Sequence, residues 1–181
     1  MALASFALPF GLRQVKLTPL LNDGTPDTAN AVLLPASRTF SFKETEDFEE
    51  LKGDDSTIAS HGAGPIVEWD LEGGGISLDV WTILGGGAVV DSGTTPAQVR
   101  TYTKNKGAAR GYFNVEGRAI SDSGGDFHCV VYRCKADGDL GGEFTNGSFF
   151  LTAASGKGYG DVTTGDLYVF KHNETASVLT A

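Results

Sequence analysis

Apolar and polar residues alternate along most of this chain, and only one stretch shows a helical period. In residues 65–72, Val67, Trp69 and Leu71 are apolar, while Glu68, Asp70 and Glu72 are carboxylates. A period of two puts one set on the buried face of a strand and the other on its wet face. Residues 37–43 repeat the pattern, with Phe40 and Phe42 against Thr39, Ser41 and Lys43. So do residues 13–19, with Val15 and Leu17 against Gln14, Lys16 and Thr18. Further strands are predicted near residues 99–103, 111–119, 127–135, 148–152 and 167–172. The one helix is predicted after the glycine run 73–75. Ser77 is placed to cap it, Asp79 to sit in its first turn, and Gly85 to supply a left-handed exit. Seven or eight strands around one short helix predict a mainly β fold, a sandwich or barrel.

The segments between the strands differ in character. Residues 22–30 carry Asp-Gly and Pro and read as a turn or loop. Residues 44–64 read as a long excursion between two strands, rich in acid. Within it Phe48 and Leu51 sit among Glu46, Asp47, Glu49, Glu50, Asp54 and Asp55. A solvated loop has no use for two large apolar residues, so they are expected to anchor a neighbouring subunit. The acids are then expected to meet Lys or Arg across the interface. The bland alternative is a locally folded acidic loop. Phe6, Leu8 and Phe10 near the N-terminus, and the residues after His172, are candidate arms of the same kind.

Composition narrows the class. A chain of 181 residues is expected to form one domain, 1–181, with an arm at about 1–12, a long loop at about 44–64 and a tail at about 173–181. The 25 glycines suit a turn-rich β protein. A net charge of −9 argues against binding nucleic acid by general attraction, because phosphate contacts need Lys and Arg. Cys129 and Cys134 fall in one predicted strand, roughly 16 Å apart and of opposite parity, so no mutual disulfide is expected. A reduced, cytosolic place of folding fits that reading. No stretch approaches the ~20 apolar residues of a membrane span. The apolar N-terminus lacks the basic start of a signal peptide.

Three short patterns resemble catalytic or metal-binding ones. Glu68, Asp70 and Glu72 have the spacing of the acid and nucleophile strand of β-jelly-roll glycanases, although Trp69 stands where that family favours a smaller aliphatic residue. A carbohydrate-active or carbohydrate-binding β-sandwich is therefore the alternative reading of this strand. The Asp-Ser-Gly-Gly at 122–125 is similar to the nucleophile loop of chymotrypsin-like proteases. The segment around His61 does not match that family, and Asp126 stands where it has proline, so a hairpin loop is expected. Residues 137–143 resemble a calcium loop but place Gly141 at a ligand position, which predicts a turn. The histidines and cysteines show no metal spacing. No cofactor, metal or catalytic residue is expected.

Four segments in order carry a broader resemblance: RTFSFKETEDFEELKGDD, GPIVEWDLEGGGISLDVWTILGGG, YFNVEGRAISDSGGDFHCVVYRCKA and GEFTNGSFFLTAASGKG. Together they resemble the major tail protein, or tail tube protein, of long-tailed bacteriophages with non-contractile tails, especially those of actinobacteria. The resemblance covers roughly residues 10–174. It implies a two-sheet antiparallel β-sandwich with a flanking helix, related to the type VI secretion tube. It implies hexameric rings that stack into a virion tail tube, assembled in the host cytoplasm. The implied partners are other copies of the chain, the tape measure protein, and the tail tip and terminator proteins, with double-stranded DNA passing through unbound. Glu68, Asp70 and Glu72 are then expected to face the lumen, with Lys43 and Arg118 as basic exceptions. Phe48, Leu51, Glu49, Glu50, Asp54 and Asp55, with Phe6 and Leu8, become candidates for contacts between subunits or rings.

Overall fold

One long strand, β10 (Asp126–Gly141), organises the molecule. The computed structural model describes residues 5–181, so the first four residues of the expected arm lie outside it. The first half of β10 pairs with β9 (Phe113–Ser121) on one side and β12 (Tyr168–Asn173) on the other. Its second half pairs with β11 (Leu151–Gly158). Between the halves the register breaks, and Arg133 adopts a φ of 48°. A second break follows Ala136. Such bulges bend a strand and sharpen its twist, which lets one sheet turn onto itself.

From β9 the sheet continues through β1 (Pro9–Pro19) to the short β2 (Val32–Leu33). From β11 it continues through β6 (Ile66–Gly74) to β3 (Ser37–Thr45). All these pairs are antiparallel. The two sheets expected from sequence are thus halves of one continuous eight-stranded sheet. Their apolar faces meet. Trp69 of β6 lies edge-on to Phe113 of β9 at 5.6 Å, and Phe40 of β3 covers Gly117 of β9. A Cβ on Gly117 would come within 2.4 Å of that ring, so only glycine permits the approach. Val15, Leu17, Val67 and Leu71 lie in the core, as the alternation predicts, together with Val115 and Val131. At roughly 1.5–3 kcal/mol for each large side chain, their burial is the main source of stability.

The helix α1 (Leu78–Gly85) flanks the sheet. Ser77 Oγ accepts from the Val80 N–H at 3.4 Å, the expected cap, and Val80 and Leu84 are buried. The left-handed exit is Gly86 (φ 71°), one residue beyond the expected Gly85, which is itself helical. The strand expected at 99–103 is β8 (Val99–Thr103), and it pairs with β7 (Ala88–Ser92), which the alternation does not predict, to form a separate hairpin. Arg100 ties it to the helix through Asp79 at 2.9 Å.

Several expectations shift. Residues 9–12 of the expected arm are strand, paired with residues 119–121. The Phe6 carbonyl accepts from Ser123 Oγ and the Leu8 N–H donates to Ser121 Oγ, so this part is fastened to the β9–β10 turn. Residues 137–141 belong to β10 rather than to a turn. The strand expected at 148–152 lies at Leu151–Gly158. Cys129 and Cys134 are free, as the spacing requires, but they do not face apart. The bulge at Arg133 inserts an extra residue, so both thiols join the same core. Burial pushes Cys129 up to about 12 and raises Cys134 as well.

Candidate functional site

The outer face of the β3–β6–β11 half carries the carboxylates. Val67, Trp69 and Leu71 are buried, while Glu68 and Asp70 are exposed and Glu72 is half-buried. Strand register sets their neighbours. Glu68 lies between Lys43 and Lys157, Asp70 between Ser41 and Ser155, and Glu72 between Thr39 and Ala153. Arg38 reaches Glu72 at 3.3 Å. Lys43 shares this face, as its parity predicts, and Lys157 is a second lysine that the sequence reading passed over. The face is therefore acidic at its centre with lysines along one row. A shallow depression of about 300 Å³ lies here, lined by Thr39, Asp70, Glu72, Asp139 and Ser155 among others. Exposed ion pairs of this kind contribute about 0–1 kcal/mol, so stability does not explain the charge.

The outer face of the other half is built differently. Gln14 and Lys16 of β1, Glu116 and Arg118 of β9, and Asp126 and His128 of β10 stand side by side. Arg118 Nε donates to Asp126 Oδ2 at 2.6 Å, and both groups are buried. Arg118 is therefore not a wet exception on the carboxylate face, because it sits on a different face and is covered. The cover is the C-terminal segment. The Ser177 N–H donates to Asp126 at 2.7 Å, Asn173 Nδ2 donates to its other oxygen at 2.9 Å, and Leu179 is bonded twice to Gln14. His128 Nδ1 lies 3.0 Å from Glu116, and its Nε2 lies 3.2 Å from Asp126 without hydrogen-bond alignment. Burial alone would raise the Asp126 carboxyl. The bonds from Arg118, Asn173 and Ser177 outweigh it and hold the group well below the usual carboxylate range. Glu116 balances burial against His128 and Lys16 in the same way and is also lowered.

The expected loop at 44–64 is a hairpin of β4 (Phe48–Gly53) and β5 (Ser56–Gly62). Asp54 and Asp55 form its turn with φ of 48° and 61°. Two successive positive φ values match the twist of a tight hairpin, and aspartate tolerates them. The hairpin is a two-stranded sheet of its own, paired with no other strand among the described residues. Phe48 and Leu51 are each 62% exposed, and Ile58 on β5 is 65% exposed. Glu49, Glu50, Asp54 and Asp55 are exposed beside them. Phe6, Leu8 and Phe10 are exposed as well, and so are Phe144 and Phe149.

The protease-like residues are dispersed over the fold. Ser123 bonds to Ser121 in the β9–β10 turn, His61 lies on β5, and Asp126 is committed to Arg118. Among the described residues no three His, Cys, Asp or Glu side chains form a group that could hold a metal ion. No described helix is long and apolar enough to cross a membrane. Comparison with known proteins finds no family model that matches the chain and no curated protein that matches it significantly.

Proposed function

We propose that the chain is a structural virion protein that self-assembles into stacked hexameric rings, the tail tube of a long-tailed, non-contractile bacteriophage. The observation that carries this reading is the β4–β5 hairpin. An isolated two-stranded hairpin is marginal in water, and this one exposes Phe48, Leu51 and Ile58. Buried at an interface, each of these side chains would contribute roughly 1.5–3 kcal/mol. The hairpin is thus read as a stacking element completed by another copy. The open edge of β3, which pairs only with β6 among the described residues, supports the same conclusion. An exposed edge invites another strand, and closing a ring of sheets removes it.

In this reading Glu68, Asp70 and Glu72 line the lumen. Duplex DNA carries one negative charge per ~1.7 Å, and carboxylates give its phosphates nothing to exchange counterions with. DNA then passes without sticking. The tape measure, tip and terminator proteins are the further partners this role requires. Negative-stain electron microscopy of the purified chain across a concentration series tests the proposal. Stacked rings are the expected outcome. Monomers at every concentration and salt would overturn it.

A further inference from the structure

Charge is distributed unevenly over the molecule. Residues 104–110, between β8 and β9, carry Lys104, Lys106 and Arg110 and no acid. Among the described residues none of the three is ion-paired with a carboxylate. Arg110 Nη1 donates to the carbonyls of Ala136 and Gly138, each at 2.8 Å. Both carbonyls lie on the second half of β10, beyond Cys134, where the pairing with β9 ends. Lys104 Nζ is held by the carbonyls of Gly85 and Ala108. Lys106 is exposed between them. The result is a basic strip fixed along one edge of the β10–β11–β6–β3 half.

The acidic hairpin springs from β3, the other edge of that half. Among the described residues, Glu46, Asp47, Glu49, Asp54 and Asp55 are exposed and in no ion pair, and Glu50 pairs only with Lys52 of the same hairpin. Three strand spacings of about 4.8 Å separate the two edges within one chain. Complementary patches on opposite edges are the arrangement of a heterologous contact, which joins one copy to the next.

We infer that residues 104–110 are the docking surface for the acidic β4–β5 hairpin of a second copy of this chain. The inference rests on the assembly reading above and names the receptor for its hairpin. Lys104 and Arg110 are already held by carbonyls, so their charge is presented at little entropic cost. Lys106 supplies the adjustable contact.

A chain carrying Glu49→Cys and Lys106→Cys tests the inference. The native thiols are buried, so they do not compete. After mild oxidation of assembled rings, a ladder of covalently joined subunits is expected on a non-reducing gel, and neither single variant should give one. Micrographs of the same sample separate the two readings. Absence of rings in the wild type sinks the assembly reading, whereas wild-type and variant rings without a ladder overturn the docking surface alone. If the cysteine chain does not assemble, a charge swap decides. Lys106→Glu is expected to lower the assembled fraction roughly two- to five-fold at low salt. Adding Glu49→Lys is expected to restore most of it, and a swap that assembles no better than Lys106→Glu overturns the inference.

Discussion

Asp126 and Asp70 are both strand carboxylates on outer faces of the same folded sheet, yet their surroundings are opposite. Asp126 is fully buried, bonded to Arg118 at 2.6 Å and covered by the chain's own C-terminal segment. Asp70 is exposed between two serines, with nothing folded over it. Where this protein needs charge for stability, it supplies a counter-charge, hydrogen bonds and a cover. The carboxylate row on β6 receives none of these beyond flanking basic side chains. Its charge is therefore free to serve something outside the chain.

The sharpest way to break that contrast is mutation at the two positions. Asp126→Ala leaves Arg118 buried without its counter-charge and is expected to cost about 3–5 kcal/mol in urea unfolding. Asp70→Ala is expected to stay within about 0.5 kcal/mol of wild type. Comparable losses at both sites would erase the distinction.

Acid sharpens it further. The Asp126 carboxyl is depressed in the folded chain below its ordinary 3.8, so its contribution is fully present above that pH. It is lost as pH falls toward the folded value, because the unfolded state then binds the proton more readily. Stability measured between pH 5 and pH 3 is expected to fall more steeply for wild type than for Asp126→Asn. Parallel curves would show that Asp126 does not set the acid limb.

A third comparison sets the hairpin against the core. Deleting residues 47–62 is expected to leave the melting temperature nearly unchanged, because no core residue is removed, while abolishing stacking in micrographs. Normal tubes from that chain would disprove the stacking role.

On the carboxylate face, Glu68, Asp70 and Glu72 changed together to Lys shift the net charge by six units, from −9 to −3. Folding is expected to persist, because Val67, Trp69 and Leu71 keep the core. DNA release is expected to slow, most at low salt, where screening is weakest. Normal release at low salt would place this face away from DNA. The smallest effect concerns Cys129 and Cys134. Reducing agent is expected to leave assembly unchanged, as read by sedimentation.

Much of this architecture is legible in the sequence because period-two alternation maps directly onto faces. Val67 to Glu72 is the clearest case, and the Ser77 cap is another. The failures have physical causes. Alternation assumes unbroken register, so the bulge at Arg133 reversed the expected facing of Cys134. The hairpin at 48–62 looks like a loop in the sequence because its strands bury neither face and show no amphipathic pattern. The Asp126 network does leave a signal in the sequence. Glu116, Arg118, Asp126 and His128 alternate with apolar residues on two adjacent strands with opposite charges, which is the pattern of a paired face. What the sequence could not display was the cover, since the C-terminal segment meets β1 and β10 only in three dimensions.

The most direct test is a cryo-EM map of the assembled particle, which shows which face of each subunit points inward. Rings are expected with β3, β6 and β11 lining the central channel and Glu68, Asp70 and Glu72 on its inner wall. A closed ring that carries this face on its outside, or an assembly without a channel, would contradict the tube.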